Sequence, residues 1–72
     1  MADDKQLAKL EFVSFCIEQY KVATNSKGRE VEKMFQKEGV ISFLLEHYEV
    51  LHTQGEPAIL NEIQEYIKHH QA

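Results

Sequence analysis

An all-α domain, a small bundle of four helices, is the fold class predicted for this chain of 72 residues. Two observations carry the prediction. Apolar residues recur at spacings of three and four along most of the chain, the period of an amphipathic helix. Turn formers at Thr24 to Gly28, at Gly39 and at Gly55 with Pro57 then cut it into segments of helical length, about 4–23, 27–38, 41–54 and 57–69. No repeat, low-complexity segment or second domain interrupts them, so residues 1–72 read as one domain.

The first helix is expected to start near Asp3 or Asp4, whose carboxylates suit an N-cap and the positive end of the helix dipole. Leu7, Leu10, Val13, Ile17 and Tyr20 trace one face, and Phe12, Phe15 and Cys16 widen it. An apolar arc that broad suits a central helix packed against two neighbours. Ser26 is the expected N-cap of the second helix, with Val31, Met34, Phe35 and Glu38 on one side. Gly39 reads as the left-handed residue that ends it.

Along the third helix, Ile41, Leu44, Leu45, Tyr48, Leu51 and His52 fall on one stripe. Ser42 is its candidate cap, with Val40 and Ile41 leading in, while Phe43, Glu46, His47 and Val50 lie off the stripe. Gly55 stops this helix and Pro57 suits the first position of the fourth. A capping box of Thr53 with Glu56 is the competing reading of that joint. Ile59, Leu60, Ile63, Tyr66 and Ile67 point inward from the fourth helix, His70 is a further candidate, and residues 69–72 are expected to fray.

Composition narrows the function. A chain this short buries only about 60% of its unfolded surface and has little room for a core plus a deep pocket, which argues against an enzyme acting alone. With one cysteine, Cys16, it can form neither an internal disulfide nor a cysteine-based zinc site, and a single thiol fits a reducing compartment. The polar start and the lack of a long apolar run lead to an expectation of a cytoplasmic protein. From Lys5 to Lys37 there are seven Lys or Arg against four Glu; from Glu38 to Ile67 there are six Glu and no Lys or Arg. Charge divided in this way can steer association with a partner of matching polarity; the alternative reading is simply a solvated surface with unevenly sampled charge.

Residues with chemical options gather between Glu46 and Gly55. Tyr48 and His52, one turn apart, can touch and present an aromatic–imidazole pair to a ligand or partner. Alternatively, Tyr48 is a core aromatic and His52 serves a free carbonyl at the helix end, while Thr53 satisfies a carbonyl one turn back or caps the next helix. His47 and His52 diverge by roughly 140° around a helix, so they do not begin a metal site, and no metal or other cofactor is expected. Among apolar neighbours Cys16 is expected to be an inert thiol. A helix-turn-helix reading of Phe35, Gly39, Val40 and Leu45 meets two objections. Phe35 is bulky where a small residue is needed, and residues 42–52 carry Glu46 and Glu49 with no cation for phosphates.

Three strings carry a family resemblance: Leu-Glu-Phe-Val-Ser-Phe-Cys-Ile-Glu-Gln-Tyr at 10–20, Gly39-Val40-Ile41, and His47-Tyr48-Glu49-Val50-Leu51-His52-Thr53-Gln54-Gly55. With them the chain resembles a bacterial family of short proteins, domain of unknown function 3791, from about Leu10 to Ile67. Its most specific part is the run Tyr-x-x-Leu-His-Thr-x-Gly, held by Tyr48, Leu51, His52, Thr53 and Gly55. The loop Asn25-Ser26-Lys27-Gly28 departs from the family pattern by about a residue. The resemblance implies no chemistry; that members are often encoded beside a small family resembling ADP-ribosyltransferases implies an accessory or antitoxin-like partner of an enzyme.

The functional expectation is therefore a non-catalytic protein-interaction module whose partner is another protein. Its candidate surface is the joint of the third and fourth helices: His47, Tyr48, His52, Thr53, Gln54, Gly55 and Glu56. Two alternatives stand beside it: nucleic-acid binding through Arg29, Lys33 and Lys37, and small-ligand binding at Tyr48 and His52.

Overall fold

The computed structural model describes residues 3–71, with side chains described for 5–70. The described residues are helical and include no strand: α1 (Asp3–Thr24), α2 (Gly28–Lys37), α3 (Val40–Glu46), α4 (Tyr48–Leu51) and α5 (Glu56–Gln71). The expected capping by Asp3 or Asp4 lies outside the described side chains. The all-α class holds, with five helices in place of four because the expected third helix breaks at His47.

Packing centres on α1 and α3. The first helix contacts α2, α3 and α5, and α3 contacts every other helix. Phe12, Val13 and Cys16 of α1 meet Val31 and Phe35 of α2 in the core. Val40 and Leu44 of α3, Leu51 of α4, and Ile59, Ile63 and Ile67 of α5 complete it. The central role expected for the first helix is what the structure shows, but the face it buries is rotated. Leu7 and Leu10 are 58% and 53% exposed, and Phe15 is also exposed. Apolar residues surround most of α1, so spacing alone allowed two inward stripes; the one centred on Phe12, Val13 and Cys16 meets the other helices.

The corners follow from backbone hydrogen bonding. Asn25 takes a left-handed φ of 53°, and the N–H groups of Asn25 and Ser26 return to the carbonyls of Val22 and Lys21. This is a Schellman ending, with asparagine in the place usually held by glycine. Ser26 is thereby occupied: its hydroxyl pairs with that of Thr24 at 2.8 Å, and Lys27, with no side-chain cap, stands at the N-cap where Ser26 was expected. Gly39 is left-handed as expected, at φ 74°. It also serves as N-cap of α3, its carbonyl accepting from Phe43, so the helix starts at Val40 and Ser42 caps nothing.

At the last joint, the carbonyl of Gly55 accepts from Ile59, Glu56 is the first helical residue and Pro57 the second. Pro57 was expected one place earlier, but the second position also leaves its missing N–H among the donors that a helix start cannot pair. The capping box does not form, because the Thr53 hydroxyl turns back to Val50. His69 and His70 are not frayed: α5 runs on to Gln71. Ala72 lies outside the described residues.

Gly39 is the position where a side chain is least welcome. A Cβ there would sit 3.3 Å from the Tyr66 hydroxyl, on a backbone that L-residues avoid. Gly39→Ala is expected to lower unfolding free energy by about 1–2 kcal/mol, the left-handed penalty of an L-residue. A urea titration checks this, and an unchanged midpoint would contradict the account.

Candidate functional site

The run from Tyr48 to Gly55 forms the exit of α4, a helix of four residues whose last carbonyls need partners. The carbonyl of Tyr48 accepts from both the backbone N–H and the Nδ1–H of His52, at 2.9 and 2.8 Å. Because a carbonyl only accepts, Nδ1 carries the proton. Val50 receives the Thr53 hydroxyl at 2.7 Å, and Leu51 receives the backbone N–H of Gln54 at 3.0 Å. The His52 and Thr53 side chains are thus the hardware that ends α4. His52 was placed on the inward stripe; it is exposed, its ring stacked on Tyr48 at 4.4 Å between centroids and 7° between planes. Tyr48 in turn meets Phe12 edge-on at 5.4 Å, which fixes the corner to α1.

His47 marks the break between α3 and α4, at φ −105° and ψ 18°. Its carbonyl accepts from both Val50 and Leu51, so the chain restarts there as a new turn. Its exposed ring leans on Phe43, which stacks on Tyr66 at 4.3 Å, and Tyr66 stacks on His70 at 4.8 Å. An aromatic row therefore crosses from α3 to α5 with an imidazole at each end. His70, an inward candidate, is exposed and stacks on Tyr66 one turn back.

Beside the row lies a groove of about 210 Å³, lined by Phe43, His47, Val50, Leu51, Gln54 and Glu62. It is smaller than the roughly 300–1,000 Å³ typical of pockets for drug-sized ligands. Of the candidate surface, the structure gathers His47 and Gln54 into this groove. Tyr48, His52, Thr53, Gly55 and Glu56 are not among its lining residues. Phe43, Val50 and Glu62 were missed, as was Leu51, which was expected only as a core residue. For Phe43 and Val50 the signal was a second helical stripe, Phe43, His47, Val50 and Gln54 at i, i+4, i+7 and i+11, overshadowed by the more apolar one beside it; no such stripe points to Glu62, on α5.

Among the described residues, no three His, Cys, Asp or Glu side chains converge as a metal-holding group. The Cys16 thiol is fully buried, and desolvation pushes its pKa up to about 12. At the exposed edge, Lys5 Nζ meets Glu49 Oε2 at 2.8 Å. This hydrogen-bonded pair raises the lysine's pKa and lowers the carboxylate's. It also joins the basic and acidic parts of the chain at one point.

Two outcomes follow for stability. His52→Ala is expected to cost about 0.5–1.5 kcal/mol, the worth of one exposed hydrogen bond, while Leu51→Ala costs about 2–5 kcal/mol through its cavity. Denaturant melts rank them, and an His52 effect as large as that of Leu51 would refute the capping role. The folded Cys16 pKa lies above the unfolded one, so its contribution is complete below the ordinary thiol pKa and is lost as pH rises toward about 12. Wild type should then lose more stability across that alkaline range than Cys16→Ala, and native Cys16 should resist alkylation until the chain unfolds.

No helix among the described residues is long and apolar enough to cross a membrane. Neither a curated protein nor a solved structure matches the chain. A family model does, over residues 11–70, under the description Protein of unknown function (DUF3791). That match spans the core of α1, the left-handed Gly39 and the whole α4 corner, and the chain belongs to the DUF3791 family.

Proposed function

We propose that this chain is a non-catalytic protein-interaction module whose contact face is the groove between α3–α4 and α5. The observation that carries this reading is an apolar concavity left open beside the corner, with Val50 on its lip 62% exposed. Exposed apolar side chains scattered singly need no explanation, whereas one bordering a groove with Phe43 and Leu51 forms a continuous contact surface. The chemistry nearby is already engaged in structure: the thiol is buried, and His52 and Thr53 serve backbone carbonyls. An accessory or antitoxin-like role beside an enzyme is consistent with such a module.

The alternatives have less support. A small ligand at Tyr48 and His52 would find Nδ1 committed and the adjoining groove small. For nucleic acid, the would-be recognition helix is only α3, seven residues that end on Glu46. That leaves the exposed Arg29, Lys33 and Lys37 of α2 to act alone.

A photo-crosslinking residue placed at Gln54 in the cells that encode the chain tests the reading, with Lys33 as the control position. A discrete protein adduct is expected from Gln54 alone, and Val50→Asp, which alters an exposed side chain, should abolish it while leaving thermal unfolding intact. No adduct at Gln54, or one indifferent to Val50→Asp, would overturn the proposal.

A further inference from the structure

The rim of the groove carries charge of one sign. Glu62 lines it, and the exposed Glu46 lies one turn from both Phe43 and Val50 in sequence. Among the described residues, Glu49 is paired with Lys5, whereas Glu46 and Glu62 have no Lys or Arg within ion-pair distance. The surrounding sequence, Glu38 to Ile67, supplies no Lys or Arg to meet them. An uncompensated carboxylate, Glu62, thus borders an apolar floor formed by Phe43 and Leu51 with Val50 on its lip, and the exposed Glu46 immediately precedes the lining residue His47 in the chain.

We infer that the occupant of this groove is a basic amphipathic helix of the protein partner. One of its apolar side chains sits on that floor, and its Lys or Arg heads face Glu46 and Glu62. The inference rests on the interaction reading above and adds the partner's chemistry. Three physical points favour it. The groove is on the scale of a side chain rather than of a whole metabolite. The described residues contain no sheet edge to which an extended peptide can add, and an apolar groove between helices suits helix-in-groove docking. Facing charges of opposite sign steer the encounter and reject acidic competitors.

The probe is a short amphipathic helical peptide of Leu and Lys, titrated into the isotope-labelled full chain and followed by amide NMR. A Leu and Glu twin of the same pattern is the control. Saturable shifts are expected at Phe43, His47, Val50, Leu51, Gln54 and Glu62, weakening as salt rises, and the acidic twin should produce none. In the double variant Glu46→Gln with Glu62→Gln, affinity should fall by about three- to tenfold, the combined worth of two rim charges. Equal binding of the twin, shifts centred on α1 or α2, or no saturable shift would overturn the inference. So would concentration-dependent shifts of the same amides without peptide, which would make the occupant a second copy. A failed titration alongside a Val50-dependent crosslink at Gln54 rejects only the basic helix, whereas failure of both rejects the interaction face as well.

Discussion

Val40 and Leu44 lie one turn apart on a helix of seven residues, both fully buried, and the rest of the structure depends on that burial. An isolated helix of this length does not persist in water, because nucleation is costly and few bonds repay it. Here it is held by contacts with all four other helices. Gly39 makes that position reachable, since its left-handed backbone turns the chain from α2 into α3 through only the two residues Glu38 and Gly39. Tyr66 then closes over the turn and stacks on Phe43, so the same side chain that lies against Gly39 also joins α5 to α3.

From that centre the corner at α4 follows. Breaking at His47 lets Tyr48 reach Phe12 while Leu51 enters the core. The cost is a very short helix with unpaired carbonyls close to its end, and His52 and Thr53 offset it locally. The run that first draws attention as chemistry is thereby the means of terminating a helix. The groove is a by-product of the break: where α3 bends away into α4, Val50 is left on the outer side, next to α5.

Much of this was legible from residue types. Cys16 among aromatic and aliphatic neighbours was readable as a buried, unreactive thiol, and Gly39 as a left-handed terminus, because each expectation depends on local chemistry. Thr53 was likewise readable as a residue that satisfies a carbonyl one turn back. The inward face of α1 was not, since Leu7 and Leu10 share the helical period with residues that are buried. Nor was the break at His47, where neither proline nor glycine announces a change of direction. Ser26 has the composition of an N-cap, yet the preceding helix claims it first through Thr24 and Lys21.

By itself, then, the amino-acid sequence determined the all-α class, the turn-rich boundaries, the inert cysteine, the left-handed glycine and the family. Those properties depend on periods, single-residue backbone preferences and a recognisable run of residues, all of which are local. Tertiary structure alone decided which stripe of α1 is buried, that the third helical segment divides, and that Phe43, Val50 and Glu62 meet His47 and Gln54 around one groove. These depend on competition among helices for a limited core, and a long-range contest of that kind leaves no mark on any one segment.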